Sequence, residues 1–153
     1  MLGRTYEGQN CSVAKSLELI GERWTMLVVR EVFLGNRRFD EIATRLDIAR
    51  NVLTTRLARL VDEGVLEKVR YQERPERFEY RLTEKGIDLW PIMVSLIQYG
   101  DRYYAPEGPP MILRHKECGG LVDAHRICST CGERLTARAV RAELGPGAPP
   151  AAA

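Results

Sequence analysis

Apolar residues recur at helical spacing through the first third of the chain. Val13, Leu17, Leu19 and Ile20 share one stripe, with Asn10 or Ser12 placed to cap its start and Gly21 to interrupt it. Trp24, Leu27, Val28, Glu31, Val32 and Leu34 continue at the same period as far as Gly35. Phe39, Ile42, Ala43 and Leu46 form a shorter stripe, whose first turn carries Asp40 and Glu41 at the positive end of the helix dipole. Residues 47–49 break the pattern. It resumes over 50–62 with Leu53, Leu57, Leu60 and Val61, and Gly64 supplies the stop. The period then changes. Residues 65–71 (VLEKVRY) and 77–82 (RFEYRL) are β-prone and partly alternating, and the polar QERPE between them reads as a hairpin tip. Thr83 then caps a predicted long helix bearing Ile87, Trp90, Val94, Ile97 and Tyr104, with a kink expected at Pro91. Short helix, tight turn, second helix and hairpin compose a winged helix-turn-helix, a mostly α fold with a β-hairpin wing (α+β).

Composition bounds what this pattern can be. The 153 residues suit one domain with a short appendage, and 44% hydrophobic with 29% charged residues is globular. The sequence APEGPP at 105–110 reads as a linker between a domain at 1–104 and a small segment at 111–140. Residues 141–153, ending in LGPGAPPAAA, read as a disordered tail. No window approaches 18 apolar residues, so no membrane contact is expected. The opening MLGRTYEGQN lacks the apolar stretch of a secretory signal, which points to the cytoplasm. A net charge of +2, from 23 basic and 21 acidic residues, excludes a histone-like polycation but leaves a locally basic face open.

That face lies on 50–62. Leu53, Leu57 and Leu60 fall on one side of the helix, and Asn51, Thr54, Thr55, Ala58 and Arg59 on the other. Arg50, Arg56 and Arg59 meet no acid in this helix before Asp62. Asn pairs bidentately with adenine and Arg with guanine, while Thr reaches a base edge or a phosphate. Arg74 at the hairpin tip, with Arg70 and Arg77 on its arms, is placed to straddle a DNA backbone beside the minor groove. A solvated helix face or a soluble turn looks much the same in isolation, and Glu73 and Glu76 dilute the tip. The combination points to DNA.

With these elements in order, the chain from about Cys11 to Tyr104 resembles the HxlR-type bacterial transcriptional regulators, relatives of the MarR group. The likeness rests on Trp24, Gly35, Arg38-Phe39, Val52-Leu53, Arg56-Leu57, Glu63-Gly64 and Tyr80-x-Leu82-Thr83-x-x-Gly86. It departs at the wing tip, where members often carry two prolines and this chain has Pro75 alone. The resemblance implies a homodimer on a pseudo-palindromic double-stranded operator, with recognition helices in successive major grooves. The expected DNA contacts are Arg38, Arg50, Asn51, Thr54, Thr55, Arg59 and Arg74. It also implies dimerisation through the terminal helices, with Val13 and Leu17 against Trp90, Val94, Ile97 and Tyr104. The competing reading is that these residues only close the monomer core.

The four cysteines divide into three and one. His115-x-x-Cys118 is followed by Cys128-x-x-Cys131-Gly132, a spacing suited to one structural, four-ligand Zn²⁺ per chain in a zinc-ribbon-like segment. A segment this short cannot hold itself together by apolar burial, so a metal gives it a reason to fold. His125 could replace His115, Cys128 and Cys131 could be a redox pair, or the cysteines could be structural passengers. Cys11 stands alone at the start of the first helix. In some HxlR-like regulators a cysteine near this position senses oxidants, quinones or aldehydes, but there proline follows and here Ser12 does. The alternative is a small residue buried at the dimer interface.

A sequence-specific DNA-binding repressor is therefore expected, with room for a small-molecule or oxidant effector. The alternatives are a protein-interaction module without operator specificity and a thiol redox-responsive switch. An enzyme is not expected. The chain has two histidines, no Ser-His-acid arrangement, no phosphate-binding glycine loop and no open metal site.

Overall fold

A computed structural model describes residues 6, 8 and 10–149, which divide into compact units at 1–86 and 87–153. The first unit runs α1 (Ser12–Ile20), α2 (Thr25–Phe33), α3 (Phe39–Leu46), α4 (Arg50–Asp62), β1 (Leu66–Gln72) and β2 (Arg77–Leu82). A short α5 (Glu84–Ile87) straddles the boundary. The expected stripes form its core in part: Val13, Leu17 and Leu34 are exposed, and Val29, outside the expected stripe of α2, is buried. Val28, Val29, Ile42, Leu53, Leu57, Leu60, Val65 and Leu66 are fully buried, each worth about 1.5–3 kcal/mol by transfer from water.

The turn between α3 and α4 depends on Asp47, which takes the left-handed conformation (φ 48°) and ends α3. Aspartate tolerates this region better than most residues, and only Ile48 and Ala49 then separate the two helices. Glu31 is buried as well. Its carboxylate accepts hydrogen bonds from Arg30 Nη2 and Asn36 Nδ2, both at 2.7 Å, which ties α2 to the turn after Gly35. β1 and β2 pair antiparallel from Leu66↔Leu82 to Arg70↔Phe78, then shift register before Gln72↔Arg77. The segment before α3 adds a short rung: Arg38 bridges Glu79, and the Tyr80 N–H donates to the Arg37 carbonyl at 2.8 Å. The wing is thus anchored to the start of α3.

The second unit contains α6 (Trp90–Tyr104) and an antiparallel pair, β3 (Met111–His115) with β4 (Val140–Leu144). Three expectations change here. Pro91 does not kink a long helix. It lies in the first turn of α6, where its missing N–H has no partner to lose, and α5 has already ended at Ile87. The boundary consequently falls at 86/87 and not at 105–110, so α6 belongs with the C-terminal unit.

Residues 141–149 are not a disordered tail. Residues 141–144 complete β4, in register Met111↔Leu144 to His115↔Val140. Beyond the strand, the Gly145 N–H donates to the Pro110 carbonyl at 3.0 Å and the Gly147 N–H to the Pro109 carbonyl at 3.2 Å. A Cβ at Gly145 would collide with the Pro109 carbonyl and one at Gly147 with the Gly108 carbonyl, so glycine is what lets the segments approach. The tail expected at 150–153 lies outside the described residues.

Candidate nucleic-acid interface and metal centre

α4 buries Leu53, Leu57 and Leu60 and exposes Arg50, Asn51, Thr54, Thr55, Ala58 and Arg59, as its period requires. The exposed residues differ in what already holds them. The Asn51 amide has no side-chain partner among the described residues. Thr54 and Thr55 donate back to the Arg50 and Asn51 carbonyls at 2.8 and 3.0 Å, leaving hydroxyl lone pairs outward. Arg50 stacks over Phe39 and pairs with Asp40 at 2.7 Å. That exposed pair is worth about 0–1 kcal/mol, a bond readily exchanged for a phosphate.

The other two arginines of α4 are tied inward. Arg56 is mostly buried and pairs with Glu22 at 3.3 Å, and Arg59 donates to the Glu18 carbonyl at 2.8 Å. Sequence reasoning counted three free cations here. It missed Asp40, Glu22 and Glu18, which reach α4 only through the tertiary fold.

Arg38 lies over the Tyr71 ring at 4.7 Å, joining the start of α3 to the wing. On the wing, Arg70 is compensated by Glu73 and Glu76, at 3.9 and 3.4 Å. The guanidinium groups of Arg74 and Arg77 are exposed and have no partner among the described residues.

Residues expected at a dimer face separate into two kinds. Val13, Leu17 and Tyr104 are exposed, whereas Trp90 and Val94 are only 7% and 0% exposed and Ile97 is half-buried. The apolar stripe that α6 presents to solvent is instead Ile92, Leu96, Tyr99 and Tyr103, one line at i, i+4, i+7 and i+11. Leu96 is 50% and Tyr99 and Tyr103 each 58% exposed. The helical period was legible, but both faces of α6 are apolar, and choosing between them needs the packed chain.

In the second unit, His115, Cys118, Cys128 and Cys131 come together, with donor atoms all within 4.8 Å of one another. His115 ends β3 and is buried. Its Nδ1 is 3.2 Å from Cys118 Sγ and 3.4 Å from Cys131 Sγ, and the Cys118 and Cys128 sulfurs are 3.3 Å apart. A tetrahedral thiolate–imidazole site has edges of about 3.5–3.8 Å, so small outward movements fit an ion.

Each pair of donors, His115 with Cys118 and Cys128 with Cys131, is shaped by a tight turn. Gly119 (φ 72°) donates to the His115 carbonyl at 2.9 Å, and Gly132 (φ 73°) to the Cys128 carbonyl at 3.0 Å. His125 is not in the cluster, and its backbone N–H is held by Asp123. An unforeseen carboxylate, Glu133, stands 3.7 Å from His115 Nε2, on the far side of the ring from the sulfurs.

The electrostatics divide the thiols. The Cys131 N–H donating to its sulfur, with help from Thr130, lowers the Cys128 pKa to about 6 despite burial. The Glu133 N–H pulls Cys131 down, but lost solvent and the Cys128 and Cys118 sulfurs outweigh it and raise its pKa. One thiolate opposes the next, and a bound cation offsets that opposition. The four residues can hold a metal. Cys11, by contrast, is exposed at the N-cap of α1 with no side-chain capping bond.

Comparison with known proteins agrees with the geometry. The HxlR-like helix-turn-helix profile matches residues 19–108. An uncharacterized HTH-type transcriptional regulator of Mycobacterium tuberculosis strain H37Rv is 51% identical over 147 residues, covering 95% of this chain and 92% of that protein. Among solved structures, PA1607, described as a candidate transcription factor, superimposes with a TM-score of 0.72 at 36% identity. That match covers 89% of this chain and 96% of the other. The redox regulator HypR in its oxidized form gives a TM-score of 0.56 at 30% identity, over 60% of this chain and 96% of its own. The names of these relatives describe transcriptional regulation, and no helix among the described residues is long and apolar enough to cross a membrane.

Proposed function

The chain belongs to the HxlR-like helix-turn-helix family of transcriptional regulators, and from that premise we propose a homodimeric repressor of a pseudo-palindromic operator. α4 enters the major groove, where Asn51, Thr54, Thr55 and Arg50 meet base edges, while Arg59 holds α4 on α1 and supplies positive charge beside the phosphates. The β1–β2 wing lies on the backbone and minor groove through Arg74, with Arg38 at its root. The observation that carries this reading is the exposed face of α4, whose Asn51 amide is free to pair. Dimerisation uses the exposed stripe of α6 and the exposed Val13 and Leu17 of α1. A two-fold axis then sets two copies of α4 about one helical turn of DNA apart, roughly 34–36 Å.

The cluster at His115, Cys118, Cys128 and Cys131 is read as a structural Zn²⁺ site. Three thiolates and an imidazole suit zinc, and four protein donors leave no open position for water. When bound, the ion fastens β3 to the two cysteine turns. Glu133 stands 3.7 Å from Nε2, beyond hydrogen-bond range, while Nδ1 is the ring nitrogen that faces the sulfurs.

The test is fluorescence anisotropy with the chain's own promoter fragment against a scrambled duplex, across salt concentrations. A DNA reader gives a steep salt slope and prefers the promoter, and Asn51→Ala reduces the preference by about 1–3 kcal/mol while leaving non-specific binding. Equal affinity for both duplexes favours the protein-interaction reading. A second reading is supported by the exposed Cys11 thiol and the likeness to HypR, a redox regulator: oxidation of Cys11 releases the operator. Unchanged release by diamide in Cys11→Ser removes it.

A further inference from the structure

A cleft of about 310 Å³ lies within the C-terminal unit, near the lower end of the range for small-molecule sites. Its walls are apolar, formed by Ile97 of α6, Pro109, and Ile112, Leu113, Leu121 and Val122. Two polar side chains reach it, Gln98 and Asp101. Gln98 is committed: its Nε2 donates to the Val122 carbonyl at 3.1 Å and pins one wall. Asp101 has no hydrogen bond or ion pair among the described residues. Its neighbour Arg102 lies over the Tyr103 ring at 5.4 Å.

The carboxylate is also poorly placed electrostatically. Burial raises its pKa, and it stands in the last turn of α6, where the helix dipole is negative and the final carbonyls lack intrahelical partners. A carboxylate in those surroundings disfavours anions. It also disfavours a purely apolar occupant, which would strip its remaining water. A cation answers both terms at once, and a positive charge beside a helix C-terminus is favourable in its own right. A metal ion would find only one carboxylate here, too few oxygens for a hard cation.

We propose that this cleft binds a small organic cation, an amine or quaternary ammonium with a short apolar body. The charge sits at Asp101 and the body lies against Ile97, Ile112 and Leu113. The site lies wholly within residues 87–153, so the inference does not depend on operator binding.

The test is a titration of the full-length protein with hexylammonium, hexanol and hexanoate at fixed ionic strength. The readout is the NMR signals of the Gln98 side-chain amide and the Val122 backbone N–H. Hexylammonium should shift them saturably, with hexanol binding at least about tenfold more weakly and hexanoate not at all. Asp101→Asn should weaken hexylammonium about tenfold and bring it level with hexanol, while β3 and β4 signals stay in place. Ile97→Phe, which fills the cleft and keeps the carboxylate, should abolish binding and supplies the test if Asp101→Asn does not fold. Equal binding of hexanol and hexylammonium overturns the proposal. So does an unchanged affinity in both variants, or no saturable shift with any of the three probes.

Discussion

In residues 1–86 most buried side chains are aliphatic and come from several elements: Val28 and Val29 of α2, Ile42 of α3, three leucines of α4, and Val65 and Leu66 at the wing, with Thr25 and Glu31 of α2 buried among them. In residues 111–144 the centre of the fold is His115 and Cys128, both buried, beside two more sulfurs, with Leu113, Val122, Leu135 and Val140 around them. The first region is closed by many interchangeable contacts, and on the proposed zinc reading the second is closed by four donors at fixed positions. On that reading, loss of one aliphatic side chain trims the first, whereas loss of one donor should undo the second.

The largest expected effect follows from that contrast. Structural zinc contributes about 10–16 kcal/mol in isolated finger-like peptides, so chelation or Cys128→Ser should release β3 and β4. Amide exchange should show them losing protection while α2, α3 and α4 keep theirs. Uniform loss across both units would erase the distinction. Next, Leu57→Ala should cost about 2–5 kcal/mol and lower the Tm of residues 1–86, with metal content unchanged. Leu96→Glu places a charge on the exposed stripe of α6 and should cost about 2 kcal/mol or more of dimer stability, read by sedimentation. A still-dimeric variant would move the interface elsewhere.

Smaller effects fall on the DNA face. Asn51→Ala should cost about 1–3 kcal/mol of discrimination between promoter and scrambled duplex without altering Tm. Arg74→Ala should weaken both duplexes alike and lower the salt slope by about one phosphate contact.

The legible parts of the sequence are those in which one residue suffices. α4 spans 50–62, as its leucine spacing and Gly64 indicate, and the break at 47–49 is where Asp47 turns the chain. His115-x-x-Cys118 and Cys128-x-x-Cys131 converge as their spacing implies, because a four-donor site is written locally in pairs. What escaped the sequence is relational. Arg56 and Arg59 are basic residues on an exposed helix until Glu22 and the Glu18 carbonyl arrive from 34 and 41 residues upstream. α6 is apolar on two faces, so Trp90 and Val94 compete with Leu96 and Tyr99 until the core is assembled. The strand VRAEL carries three polar or small residues in five and becomes β only by pairing with β3.

The central claim is that α4 reads DNA sequence from a two-fold dimer. Selection of bound fragments from the organism's own genome, with wild type beside Asn51→Ala, tests it most directly. The account predicts enrichment of a two-half-site motif with centres about 10–10.5 base pairs apart, or a multiple of that, whose base preference relaxes at one position of each half-site with Asn51→Ala. Enrichment of no motif, or of the same motif by both proteins, would contradict it.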